Sequence, residues 1–357
     1  MNLYDKHNNF LCNIILYFCK IMRVIFVLIS LFFLFITSCS SDCIDLDVDI
    51  SNINIKLKIE RMEHILFNNR IDDFNKHNLL LNDYNSLYSL FFSRMINEGN
   101  PREENSYLKL SPFLADSSIR LTYKNINTKF NDFSKYETQL KQAFKHYKYY
   151  FPDSSLPIIT TFYSNFNATV IELDSRLCVG LDMYLGADNE IVKMLSPRVL
   201  PQFIKNKMDG KYLVSDIMFG FLMNRYYQNL GDDFLSYIIA QGKVLYILNA
   251  IMPNEQEHIK IKYTLDELSW CKNNELNIWK TIIDQQLLYS KNIKTINNFI
   301  GDGPNTKGLP EDSPSRVGSW LGFRIVSDFV LKNCASLDDV INEKNVQKIL
   351  KSYTPNK

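Results

Sequence analysis

The sequence predicts an α+β fold that is mostly helical, with a small antiparallel meander in the middle of the chain. Three short segments rich in β-branched residues and separated by turn residues predict the meander, at 157–164, 168–174 and 176–183. On both sides, apolar residues recur every three or four positions, which is the pattern of amphipathic helices. Strands grouped between helical stretches are typical of the α+β class.

The remaining elements follow from periodicity. Residues 53–60 (INIKLKIE) alternate apolar and polar side chains, which predicts a half-buried strand. Residues 301–314 are rich in Gly, Pro, Asn and Asp, which predicts a loop. The predicted helices cover 72–97, 130–150, 190–208, 213–230, 232–251, 264–289, 316–333 and 336–352.

The N-terminal segment has the composition of an export signal. Residues 24–37 are almost entirely apolar and follow Lys20 and Arg23. A helix that spans a membrane needs about twenty apolar residues, so this shorter run fits a signal peptide better. It ends in ITSC at Cys39, which resembles the lipobox of bacterial lipoproteins, where the cysteine sulfur is acylated and signal peptidase II cleaves before it. An ordinary signal peptide or membrane anchor that ends in cysteine is the alternative.

These features predict three parts of the chain. Residues 1–38 form a lipoprotein signal peptide, 39–50 a polar and acidic tether, and 51–357 a single globular domain. A compact signal peptide also follows Met22, so a start at that residue is an alternative. The first expected partner is a lipid bilayer, held through acyl chains such as palmitate on Cys39.

Composition argues against several functions. Net charge is +1 with Lys and Arg scattered along the chain, whereas nucleic-acid binding needs a concentrated basic surface. There is no CxxC pair, and hence no zinc ribbon or thioredoxin motif. Four cysteines follow Cys39, and the sequence leaves open whether they form a disulfide or stay as buried thiols; they are Cys43, Cys178, Cys271 and Cys334.

Motifs for common catalytic chemistries are also missing. None of the five histidines has another four residues later, and HExxH, GxSxG, P-loop and GxGxxG motifs are absent from the sequence. A zincin metal site would therefore have no ligands. We expect no catalytic residue, no metal and no cofactor.

The segment 232–251 predicts a helix that is apolar on nearly every side, so it should be buried. Gln241, Gly242 and Lys243 interrupt it, although a glycine inside a helix costs about 1 kcal/mol. One interpretation is that this turn lines a pocket. The other is a tight helix crossing at Gly242, with Lys243 extending outward to solvent.

Three further residues complete the candidate pocket with Gln241 and Lys243. Asp182 lies between apolar residues and is either a buried structural aspartate or a catalytic one. One interpretation of Glu275 is that it caps a helix or pairs with a cation; the other is that it solvates its helix. Arg316 opens a helix after the loop, where it could bind an anion or pair with Asp182 or Glu275.

The chain resembles the gliding-motility lipoprotein family GldB of Bacteroidetes. The resembling blocks span about half of the mature chain and keep the family's order and spacing, whereas residues 50–150 match only loosely. The blocks are the lipobox at Cys39, 151–170, 179–190, 238–253, 263–279, 287–290 and 313–326.

This resemblance implies a zincin-like fold without its chemistry, a pseudo-peptidase, because the family is similar in its helical half to zinc peptidases of the HExxH kind. Family members usually carry a glutamate where this chain has Gln241, and they lack the histidines. Here Ala240 and Val244 stand where the two histidines would be, and neither side chain binds a metal.

The resemblance implies a non-catalytic lipoprotein of the gliding motility and type IX secretion apparatus. It would face the periplasm, with the outer membrane favoured over the inner, and its partners would be other lipoproteins of that machinery. Two alternatives remain. One is a periplasmic hydrolase that uses Asp182, Lys243, Glu275 and Arg316; the other is a binder of a peptide or glycan in the same pocket.

Overall fold

The computed structural model describes residues 46 and 48–356. The chain divides into two units, 1–42 and 43–357, and the described residues belong to the second. The predicted signal peptide, Cys39, most of the tether and Cys43 therefore lie outside the described residues, and their assignments stay predictions.

The described part is a mostly helical α+β fold, as the sequence predicts. A π-helical turn at Phe91–Met95 continues the third helix. The α-helices, in chain order, are α1 Met62–Leu66, α2 Asp73–Asp83, α3 Asn85–Leu90, α4 Leu110–Ala115, α5 Ser117–Phe130, α6 Ser134–Tyr150, α7 Glu190–Met194, α8 Gln202–Lys205, α9 Leu213–Tyr226, α10 Phe234–Ile251, α11 Glu257–Lys260, α12 Leu265–Asn273, α13 Glu275–Asp284, α14 Ile293–Ile300, α15 Val317–Asn333, α16 Leu337–Asn342 and α17 Val346–Leu350.

The sheet has four strands in the order β1-β2-β4-β3. Strand β2 pairs in parallel with both β1 and β4, and β3 pairs antiparallel with β4. The predicted antiparallel meander is therefore wrong, although its three strands are present. The strands are β1 Ile59–Arg61, β2 Ile158–Phe162, β3 Val170–Leu173 and β4 Arg176–Gly180.

The connection from β2 to β3 explains this mixed topology. It crosses the end of β4 so closely that a methyl group on Gly180 would lie 2.1 Å from the carbonyl oxygen of Ala168. The chain therefore reaches the outer side of β4 before it turns back. Asp174 and Ser175, both with positive φ, then close the hairpin between β3 and β4, as a two-residue turn requires.

Several predicted helices are interrupted. Pro197 and Pro201 lie between α7 and α8 and divide the predicted helix 190–208, because proline cannot continue a helix. Predicted helix 264–289 is divided between α12 and α13 at Asn274. Five helices of the described part were not predicted, namely α1, α4, α5, α11 and α14, and the predicted strand at 53–60 forms only as β1.

Helix α10 forms the centre of the domain. It begins after Asp233, whose side chain accepts a hydrogen bond from the Ser236 backbone N–H at 2.9 Å, a typical N-cap. Among the described residues it alone is long and apolar enough to cross a membrane, yet 83% of the helix is buried inside the domain. It is therefore the core helix that the sequence predicts.

Helix α15 crosses α10 with backbone against backbone. A methyl group on Gly242 would lie 2.2 Å from the carbonyl carbon and oxygen of Gly322, and one on Gly322 would lie 1.8 Å from the carbonyl oxygen of Ile238. Only glycine fits at both positions. The predicted tight crossing at Gly242 is confirmed.

The cysteines of the described part differ in state. Cys178 and Cys271 are free and buried, and burial raises the pKa of each thiol to about 12. Both are therefore inert thiols at neutral pH. Cys334 is disulfide-bonded.

We predict that Gly242→Ala lowers the free energy of unfolding by roughly 1–3 kcal/mol and that Gly242→Leu lowers it further, because the new atoms overpack the crossing. Urea or thermal unfolding measures this effect. Gly303→Ala is the milder comparison and should cost less, since its new methyl group would lie 3.2 Å from the Asn305 carbonyl oxygen instead of 2.2 Å from Gly322. Equal stability of the wild type and Gly242→Leu would contradict the packing described above.

A cleft at the crossing of α10 and α15

A cleft of about 490 Å³ opens beside the α10–α15 crossing. Its walls come from β3, from α8 and α9, and from the loop between α14 and α15. Methionine and phenylalanine side chains form much of the apolar wall. The charged and amide side chains in the lining are Lys207, Asp216, Gln241, Lys262, Asp302 and Arg316.

Two of the five residues predicted to form a pocket line this cleft, Gln241 and Arg316. The other three lie outside its lining, and each is buried in contacts of its own: Asp182, Lys243 and Glu275.

Gln241 faces the cleft from the middle of α10. Its Oε1 atom accepts a hydrogen bond from the Ser319 hydroxyl in the first turns of α15, and its Nε2 atom donates to none of the described residues. Ala240 and Val244 occupy the positions where the two histidines of an HExxH motif would stand, and both residues are buried. At this turn of α10 the cleft therefore meets an amide and no metal-binding side chain.

Arg316 directly precedes α15 and has a left-handed backbone (φ 61°, ψ 24°). Its guanidinium carbon lies 5.8 Å from the centre of the Phe219 ring, within the range of a cation–π contact. It forms no ion pair or side-chain hydrogen bond with any residue of the described part. The expected alternatives of pairing with Asp182 or Glu275 are therefore not realised.

The other two cations of the cleft are paired. Lys262 Nζ lies 2.5 Å from Oδ2 of Asp216, which also accepts a hydrogen bond from the Tyr184 hydroxyl at 3.0 Å. Lys207 Nζ lies 3.2 Å from Oε1 of Glu267, and burial lowers the pKa of Lys207 below its ordinary value.

Sequence reasoning missed these paired residues. One signal was available, because Asp216 is a carboxylate inside an otherwise apolar helical stretch (LVSDIMFG). Nothing comparable distinguishes Lys207 or Lys262 among the many lysines of the chain.

Asp182 is a structural aspartate. Its carboxylate accepts hydrogen bonds from the backbone N–H groups of Ser164 (2.8 Å) and Phe166 (2.5 Å) and from the Ser164 hydroxyl (2.9 Å). Complete burial raises its pKa to about 6, although these hydrogen bonds act in the opposite direction. The side chain fixes the crossover between β2 and β3.

Lys243 points into the domain, so the expectation that it extends outward is wrong. Its side chain is buried and its Nζ donates to the backbone carbonyls of Ile341 (3.4 Å) and Glu343. These carbonyls belong to the C-terminal end of α16, where a cation is favourable. Burial lowers the pKa of Lys243 to about 8.

Glu275 holds the C-terminal segment. It is buried and accepts hydrogen bonds from Tyr353 (3.0 Å) and Asn356 (2.9 Å), and it pairs with Arg324 at 3.3 Å. Of its two interpretations, pairing with a cation is therefore right and solvating a helix is wrong. In the described part of the chain, no three His, Cys, Asp or Glu side chains come together to hold a metal ion.

The fold and cleft define a class: a mostly helical α+β domain built around one buried helix, with an amide and an unpaired arginine in the cleft beside it. The family model for gliding motility protein GldB matches residues 44–355. The chain therefore belongs to this family of gliding motility lipoproteins, which are membrane-anchored proteins of the cell envelope. No curated protein and no solved structure matches the chain.

The family assignment confirms the resemblance seen in the sequence. The zincin-like relationship of the helical half stays a prediction.

We predict that Asp182→Ala lowers the free energy of unfolding by roughly 1–3 kcal/mol, because the buried N–H of Ser164 and the partly buried N–H of Phe166 lose their acceptor. Denaturation in urea measures the loss. Asp188→Ala is the control, since the Asp188 side chain is fully exposed and its removal should change little. Equal stability of the two variants would contradict a structural role for Asp182.

The raised pKa of Asp182 gives this prediction a pH dependence. The folded carboxyl holds its proton up to about pH 6, whereas its ordinary pKa is 3.8. The part of the stability that depends on this difference in proton binding is therefore full below pH 3.8 and is lost as the pH rises to about 6, whereas the hydrogen bonds from Ser164 and Phe166 remain. Asp182→Asn should lack this part of the pH profile.

Proposed function

We propose that this protein is a non-catalytic component of the gliding motility and type IX secretion apparatus, with a structural or assembly role exercised through protein partners. The observation that carries the proposal is the extent of the family match, because residues 44–355 include nearly all of the predicted globular domain. The family's role in gliding motility therefore concerns the folded domain as well as its anchor.

The proposed site of action is the periplasmic face of a membrane, with the outer membrane favoured over the inner. Acyl chains on Cys39 would hold the protein there, since each buried methylene contributes about 0.8 kcal/mol and two chains suffice for stable anchoring. Other lipoproteins of the same apparatus are the proposed partners.

The chemistry of α10 supports a non-catalytic role. Zinc hydrolysis needs three protein ligands, a metal-bound water and a carboxylate that takes its proton. Ala240 and Val244 offer no ligand, and the amide of Gln241 offers no base. We further propose that the helical half derives from a zincin-like fold in which these groups have been replaced.

Of the two alternative functions, the cleft favours a binder of a peptide or glycan over a periplasmic hydrolase. A hydrolase would have to bring Asp182, Lys243 and Glu275 together with Arg316, but the first three are buried in separate contacts outside the cleft lining. A binder of a peptide or glycan remains the second candidate, because Arg316 lines the cleft without an ion-pair partner in the described part.

We expect the full-length protein to co-purify with other envelope proteins of the gliding and secretion apparatus after chemical crosslinking of intact cells. Cys39→Ala is the matched control. It leaves the domain unchanged but removes the acylation site, so the variant should lose both membrane retention and these crosslinks. Identical crosslinks from both forms would contradict an anchored role, and native protein that washes off membranes in high salt would contradict lipid anchoring.

We expect the purified protein to contain no stoichiometric zinc and to cleave no peptide. Gln241→Glu should restore neither property, since a base without a metal-bound water has nothing to deprotonate. Elemental analysis and a peptidase assay test this. About one zinc per chain, lost on chelation together with a peptidase activity, would overturn the non-catalytic proposal.

A further inference from the structure

The cleft beside α10 has the properties of a small-molecule site. Its volume of about 490 Å³ falls within the roughly 300–1,000 Å³ of typical ligand pockets. Much of its wall is apolar and includes Met183, Met208 and Met223. Methionine side chains are flexible and polarizable, so such a wall adapts to apolar ligands of different shape.

The charges of the cleft leave one cation uncompensated. Lys207 and Lys262 pair with Glu267 and Asp216, as described above. Arg316 has no such partner in the described part, and Asp302, an exposed acidic residue of the lining, forms no ion pair with it. A half-buried guanidinium retains five N–H donors that can bind a carboxylate in a bidentate manner.

Two features near Arg316 also favour a carboxylate ligand. Arg316 stands at the start of α15, a helix of 17 residues without a side-chain N-cap, and the partial positive charge of a helix N-terminus favours an anion. Gln241 adds an amide Nε2 donor without the negative charge that a glutamate would bring. A single unpaired cation matches a monoanion, and an apolar wall matches a ligand that carries an apolar body.

We propose that this cleft binds the carboxylate of an organic ligand with an apolar body. The carboxylate pairs with Arg316, and the apolar body packs against the methionine wall. The ligand is either a free organic acid or the C-terminal carboxylate of a peptide, since both present the same group. This inference goes beyond the proposed assembly role and does not depend on it.

Isothermal titration of the full-length protein in detergent tests the proposal with three probes. The first is N-acetyl-leucyl-leucine with a free carboxylate, the second is the same peptide with a C-terminal amide, and the third is hexanoate. We expect the free acid to bind at least about tenfold more tightly than the amide, because the amide loses a charge-assisted hydrogen-bonded pair. Hexanoate binding as tightly as the peptide acid identifies a free organic acid; binding of the peptide acid alone identifies a peptide terminus.

Arg316→Gln should abolish the preference for the acid over the amide. Arg70→Gln is the control: Arg70 is exposed and lies outside the cleft lining, so this variant should bind like the wild type. The comparison of acid with amide on the unaltered chain stands even if Arg316→Gln fails to fold. Equal affinity for acid and amide, no binding of either acid at millimolar concentration, or unchanged preference in a folded Arg316→Gln protein would overturn the proposal. The crosslinking result for the assembly role is independent of all these outcomes.

Discussion

The contact between Gly242 and Gly322 determines where the cleft forms. The backbones of α10 and α15 touch at these two glycines. Gln241, which precedes Gly242, is therefore held beside the turn of α15 that precedes Gly322. Gln241 therefore meets Ser319, one turn before Gly322, and Arg316 lies one further turn toward the start of that helix. Larger side chains at the crossing would separate the two helices, and the polar groups of α10 and α15 would no longer border one cavity.

Three polar residues that interrupt apolar segments of the described part hold other segments of the fold in place. Lys243 satisfies the carbonyls at the end of α16, and Glu275 holds the C-terminal segment through Tyr353 and Asn356. Asp182 fixes the crossover of the sheet. Buried polar groups are costly unless they are paired, so each of these side chains is explained by the partner that it satisfies, without any appeal to catalysis.

Sequence reasoning succeeded where the deciding contacts are local. A glycine and a polar pair inside an apolar helix predicted both the crossing at Gly242 and a polar turn at Gln241. The parallel pairing of β2 with β4 could not be predicted, because it depends on the close approach at Gly180 and on contacts of Asp182 with residues 16 and 18 positions earlier. The pairing of Lys262 with Asp216 joins residues 46 positions apart, and no local pattern reveals it.

The three cations of the cleft have two different roles: the two lysines stabilise the fold, and the arginine is available to a ligand. Lys207 and Lys262 contribute to the fold through their acidic partners, so their charge is already neutralised before any ligand arrives. Arg316 stands in the same lining beside the Phe219 ring and forms no ion pair with any described residue. An unpaired charge that is half removed from water is unfavourable. The carboxylate of a ligand would supply the ion-pair partner that Arg316 lacks among the described residues. In the non-catalytic role that we propose, the domain would still recognise a ligand by its carboxylate and its apolar body.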